Sequence, residues 1–316
     1  MADDVGAKMT KTKQQHYVPQ FYLRNFADAG GRLFAYDKSA DKSFATNVRD
    51  VAGQRYFYDV SELDHVTGLS QTIEKHFQMI EGDAAPFFAG LLDALAAGSF
   101  TSISPEQRSH ISFYLANQIV RTKEFRKQTV EIHLKAYHEI LMRSVAVEPP
   151  EWKDVPFNVK LREGGEAAIH AETILDKDFV LKLADILHNH IWIVGINRTP
   201  MSFYTSDHPI ARHAHVEHPF FGMSGYASRG IEVAYPLSPR FLLSMCERTF
   251  FADFADKDGQ TLDLAADDNI TYYNAEQVFS SDRFLYCERD DFAFAKRVCD
   301  KEPDFRNPTR DRVTMG

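Results

Sequence analysis

Five polar side chains of this chain stand where an apolar core would not want them: His16, Glu74, Gln118, Arg121 and Asp207. Together they could do hydrolytic chemistry. An imidazole takes up a proton near neutral pH, a carboxylate returns one or holds a metal, and a guanidinium grips an anion with its planar fork. In "KQQHYVPQFYLRNF", Pro19 suits the first turn of a helix, where its missing N–H costs nothing, and Val18, Phe21, Tyr22 and Phe26 then share one face. His16 would lie just outside that helix N-terminus. There the dipole disfavours imidazolium and leaves a neutral ring to act as general base or metal ligand. A histidine that only bonds to the backbone while tethering the tail fits the same place.

Gln118 falls on the stripe of Ile111, Leu115, Phe125, Ile132 and Ile140, and Arg121 lies at its edge, about 60° around. A buried amide and guanidinium need partners, because an unpaired one costs on the order of 1–3 kcal/mol or more. They either line a site, with Arg121 as anion clamp, or tie this helix to the rest of the fold. Glu74 shares a flank with Gln71, Gln78 and Glu81, the pattern of a solvated face. In "FYTSDHPI", Asp207 either closes an Asx-type turn or presents a carboxylate at the end of a strand. His208, His213, His215 and His218 match no zinc-site spacing, so a solvated loop is the expectation there, although a divalent metal remains compatible with the carboxylates and His16. There is no GxGxxG, P-loop or GxSxG elbow.

The elements that must position these groups are mixed. Residues 1–15 read as a mobile tail and 301–316 as a second one, with a single intertwined domain over 16–300. "RLFAYD" and "RYFYDV" read as strands bracketing a polar connector, and a helix from Ser61 to Gly82 precedes a second, short one after Pro86. Ser104-Pro105-Glu106 opens a long helix expected to reach Arg143, and residues 148 to 165 read as an exposed connection. After a helix near 166 to 189 the chain turns β-rich: "HIWIVGIN", "MSFYTSD", "IEVAYPL" and "RFLLSMC", then a helix near 263 to 281 and the strand "RFLYCE". The fold class is therefore α+β, a helical N-terminal half packed on a mostly antiparallel sheet from the C-terminal half.

Net charge of −9 over 316 residues argues against a wholesale basic surface for nucleic acid but leaves room for a local basic groove. The 25 phenylalanines and 13 tyrosines predict aromatic packing. Three cysteines without CxxC spacing fit a reduced compartment, and no apolar run suits a signal peptide or a membrane span, so the cytoplasm is the expected location.

The motifs "HYVPQFYLRNF", "FYD", "IEK", "NQIVRT", "FYTSDHP" and "YPLSP" resemble those of the family of proteins of unknown function designated DUF4238, across roughly residues 14 to 287. The resemblance implies that His16, Pro19, Glu74, Gln118, Arg121, Ser206, Asp207 and Pro209 carry the family pattern, and it implies no activity. From the residues themselves two functions are open. One is a hydrolase, nuclease or phosphodiesterase-like, acting on an anionic small molecule or nucleic acid, with His16 as base and Glu74 or Asp207 as second acid/base or metal ligand. The other is a non-catalytic module whose polar network is structural. Phe220, Phe221, Met223 and Tyr226 of the 217–229 loop would then meet a protein partner or a second copy.

Overall fold

The computed structural model describes residues 11–145, 159–218 and 222–313. In chain order the elements are β1 (Gln14–His16), α1 (Gln20–Leu23), β2 (Arg32–Asp37), β3 (Lys42–Asn47), β4 (Gly53–Arg55), α2 (Ser61–Thr67) and α3 (Thr72–Ala96). Next come α4 (Pro105–Val120), α5 (Lys123–Val145), α6 (Gly165–Leu175) and α7 (Lys177–His188). The C-terminal half holds β5 (Ile191–Asn197), β6 (Thr205–Ser206), β7 (Ala211–Ala214), β8 (Ile231–Pro236), β9 (Phe241–Cys246), β10 (Gln260–Leu264), α8 (Asp267–Ser280), β11 (Phe284–Cys287) and α9 (Ala293–Lys301). The fold is α+β, as expected.

Strands order β10-β5-β9-β8-β7 in the larger sheet, antiparallel except for the parallel β10–β5 edge. Period-2 alternation sorts its two faces. Trp192, Val194, Val233, Tyr235, Leu243 and Met245 point into the main core, under helices α3, α4, α6 and α7. Ile193, Leu242 and Cys246 point the other way and join two smaller clusters. A second sheet, β3-β2-β11-β6, pairs the N-terminal hairpin with a late strand, so the two halves interleave.

Ser104 opens α4 with a full capping box, its hydroxyl accepting from Gln107 N while Gln107 reaches back to Ser104 N. Several expected boundaries shift. The hairpin connector contains β3, and "RYFYDV" is mostly a turn after β4. Pro86 lies inside an unbroken α3, without an N–H for the Gly82 carbonyl four residues back. The long helix from Pro105 breaks at Arg121–Thr122, so α5 leaves the core and Ile132 and Ile140 are exposed. Most of the expected 148–165 connection lies outside the described residues.

Both expected tails are partly built in. Gln15 is fully buried in β1, its amide donating to Asp59 and accepting from Tyr58 N. Beyond α9, Arg312 lies against Glu124 at 2.9 Å and Asp282 at 3.0 Å, and Arg310 adds a contact to Glu124 at 3.4 Å, all with side chains a tenth exposed or less. Removing one partner of such a buried set strands the others. Arg312→Ala is expected to lower unfolding free energy by about 3 kcal/mol, read from urea denaturation.

Candidate active site

His16 is placed by β1, which runs antiparallel to β4 with His16 opposite Gly53. A Cβ at position 53 would sit 3.0 Å from the Gln15 carbonyl and 3.1 Å from the His16 ring, so only glycine lets β4 come this close. The His16 ring bonds the Arg49 carbonyl through Nε2 at 3.2 Å, and Nδ1 lies 3.5 Å from the Gln20 amide nitrogen. With Nε2 donating, Nδ1 is left as the basic nitrogen. Pro19 proves to be the residue before α1, in extended conformation, and α1 is a single turn. So short a helix has little dipole to offer. Burial, opposed by the Arg49 carbonyl, is what lowers the His16 pKa from its ordinary value.

Helix α3 brings Glu74 and Glu81, two turns apart on one flank. The flank expected to be solvated is the wall of a cleft. Glu74 is buried, accepts from the Gln78 amide at 3.1 Å, and has its pKa raised by burial against that bond. Glu81, unremarked in the sequence beyond its place on that flank, pairs with Arg121 at 2.8 Å. Its seven-residue spacing from Glu74 was the available signal, but its partner lies on another helix.

Arg121 caps the C-terminal end of α4 and is 2% exposed. Its guanidinium donates to the His16 carbonyl at 2.6 Å, pairs with Glu81 and lies 4.3 Å from the centre of the Phe77 ring. The end of α4 is held by others in turn: Tyr58 donates to the Arg121 carbonyl and His170 Nε2 to the Val120 carbonyl, each at 2.7 Å. His170 Nδ1 accepts from Arg126, so this ring is neutral, and burial pushes its pKa down to about 3. Gln118 donates to the Tyr17 carbonyl at 3.0 Å. Arg121 and Gln118 thus grip two successive carbonyls, on either side of Tyr17.

A cleft of about 470 Å³ opens between β1, α1 and α3, lined by His16, Gln20, Arg24, Glu74, Gln78 and Glu81. It brings together His16 and Glu74. Arg121 stands behind the wall, its charge met by Glu81, and Gln118 lies deeper still. Asp207 is elsewhere, between β6 and β11, accepting backbone N–H groups of Asp282, Arg283 and Phe284 at 2.8 Å each. Burial and nearby Asp282 raise its pKa, opposed by those donors. Ser206, one residue earlier, donates to Gln277.

Of the four loop histidines, His213 and His215 stand together, with ring centres 4.7 Å apart. His208 is buried against Thr122, while His213 pairs with Glu276 and His215 with Glu232. Among the described residues no group of three or more histidines, cysteines and carboxylates could hold a metal ion. Among those residues, too, no helix is long and apolar enough to cross a membrane. In the 217–229 loop, Phe220 and Phe221 lie outside the described residues, and Tyr226 packs partly buried against the main core beneath Arg212.

An α+β scaffold with a half-open cleft under a buried guanidinium defines the class. The chain belongs to the DUF4238 family, described as proteins of unknown function, whose model matches residues 14–291. No curated protein and no solved structure matches it.

Because Glu81 is, among the described residues, the one acidic group paired with Arg121, Glu81→Ala should strand a buried cation and lower stability by about 3 kcal/mol. Glu81→Gln, which keeps an acceptor, should cost less, and the difference is measurable by thermal and urea unfolding.

Proposed function

We propose that the cleft is the active site of a hydrolase working by acid–base catalysis, with His16 as general base and Glu74 as general acid. The observation that carries it is that His16 and Glu74, from separate elements, face one water-reachable cavity, and burial drives each toward its uncharged form. A neutral imidazole can take a proton and a protonated carboxyl can give one. In the reaction, His16 Nδ1 accepts a proton from water as its oxygen attacks the substrate. The bond to the leaving group breaks, and Glu74 hands that group its proton. Proton exchange with solvent then resets both residues.

The cleft's charge refines the substrate. Arg121 and Glu81 offset each other and Glu74 carries a proton as the acid, so Arg24 is the charge left among the residues lining the cleft, too little to match a polyanion such as nucleic acid. Gln20 and Gln78 add amides, and Phe21 also lines the cleft. Such a surface suits a polar substrate rich in hydroxyl or amide groups, and the phosphodiesterase form of the reading loses support. A second reading, a non-catalytic module, draws on Gln118, Arg121 and Asp207, whose bonds are to backbone or to Glu81.

Hydrolysis of glycoside, ester, amide and phosphodiester panels separates the two. A base that must be neutral makes the rate rise with pH through a pKa below 6.5, and an acid that must be protonated makes it fall through one above 4.5. The profile is expected to be a bell with its maximum midway between the two pKa values. His16→Ala and Glu74→Gln should each slow turnover by about 100-fold or more without loss of fold. Activity unchanged in both variants, or a rate that keeps rising with pH and never falls on the alkaline side, would reject this assignment; a folded parent inert across the panel would favour the module.

A further inference from the structure

The outward face of the larger sheet is only partly covered. Helix α8 packs over one part and a 3-10 turn, Ala252–Lys257, over another, leaving a cavity of about 340 Å³ between two separate apolar clusters. That is a small-molecule volume. At its floor β8 and β9 present Glu232 and Ser244 beside Cys246, and around it stand the rings of Phe251, Phe254, Tyr272 and Tyr273.

Glu232 is the unusual group. It is 7% exposed and, among the described residues, no lysine or arginine pairs with it, yet its two oxygens receive four bonds. Ser244 and Tyr273 donate to one oxygen, each at 2.8 Å, and His215 Nε2 at 2.9 Å and Tyr272 at 3.1 Å to the other. Burial would push its pKa up, but these donors hold it below the ordinary value. Three of the four donors are neutral hydroxyls; the fourth, His215, has its pKa raised by its bond to Glu232, and above that pKa the ring is neutral too, so the four then solvate the charge without cancelling it. The neighbouring charges are paired off: Glu276 faces His213 at 3.1 Å, and Asp263, at the mouth, faces Arg198 at 2.9 Å. Nucleophilic chemistry finds no support here, because burial takes the Cys246 thiol up to about 12.

We propose that this cavity is a binding site for a small organic cation, an alkylammonium or quaternary ammonium group, held by the field of Glu232 and the faces of the surrounding aromatic rings. A carboxylate whose lone pairs are already filled attracts by charge more than by a new hydrogen bond. That favours a cation with few or no N–H groups. Aromatic faces attract such cations more strongly once water is excluded. An anion is repelled, and a neutral apolar guest would leave the carboxylate facing hydrocarbon. Phe254, 43% exposed, stands at the mouth, where a ring can close over a guest.

The test is titration of the full chain with choline and tetramethylammonium against 3,3-dimethyl-1-butanol, the uncharged isostere of choline, by calorimetry and NMR. Both cations should bind saturably and the alcohol at least about tenfold more weakly. Phe254→Ala, a change at an exposed ring, should weaken cation binding about threefold or more with the fold intact. Glu232→Gln should remove the preference for cation over alcohol; if that variant does not fold, Phe254→Ala decides alone. Equal affinity for the alcohol, no saturation by either cation, or cation binding indifferent to Phe254→Ala would overturn the assignment.

Discussion

A guanidinium withdrawn from water needs compensation from several sides, and the way Arg121 obtains it organises the N-terminal half of this protein. It sits at the C-terminal end of α4, where the helix dipole favours a cation. From there it reaches the His16 carbonyl on β1, Glu81 on α3 and the Phe77 ring. Three segments distant in sequence are thereby fixed to one charge. The cleft is the space left on the solvent side of that junction, walled by two of those segments, β1 and α3, together with α1. A residue with the chemistry of an anion clamp works here as a strut, because its charge is met internally before any ligand arrives.

Part of this was legible in the chain. Ser104 and Gln107 announce the start of α4 because capping is local, and the β-rich runs "IEVAYPL" and "RFLLSMC", set off by turn residues, announce β8 and β9 for the same reason. The end of α4 was not legible. The apolar period runs straight on through Phe125 to Ile140, and what stops the helix is Tyr58 and His170, which take its last carbonyls from elsewhere in the fold. Pro86 misled in the opposite sense, since α3 continues through it.

The site was legible to a similar degree. His16, Gln118 and Arg121 were singled out by residue type and position, Glu74 by the family resemblance against a pattern that read as a solvated face, and the four stand around the β1–α3–α4 junction. Asp207 was singled out by its place at a strand end, but its three partners are backbone N–H groups at positions 282 to 284, which no local pattern reveals. Glu81 had the spacing and lacked a visible partner. The position of a polar residue on an apolar stripe signals that it is engaged; whether it faces a cavity or a carbonyl is decided by segments far along the chain.

The ion pairs beyond α9 bear on how the chain comes to be assembled. Glu124 and Arg312 are 188 positions apart, so when α5 emerges from the ribosome the carboxylate it presents to Arg312 has yet to meet it. At ordinary translation speeds that interval lasts on the order of ten seconds. During it Glu124 lacks its arginine partners, whereas Lys123 and Lys127 of the same helix can meet Asp282 as soon as that residue is made. The arginines thus complete, last of all, a junction that the lysines are able to begin.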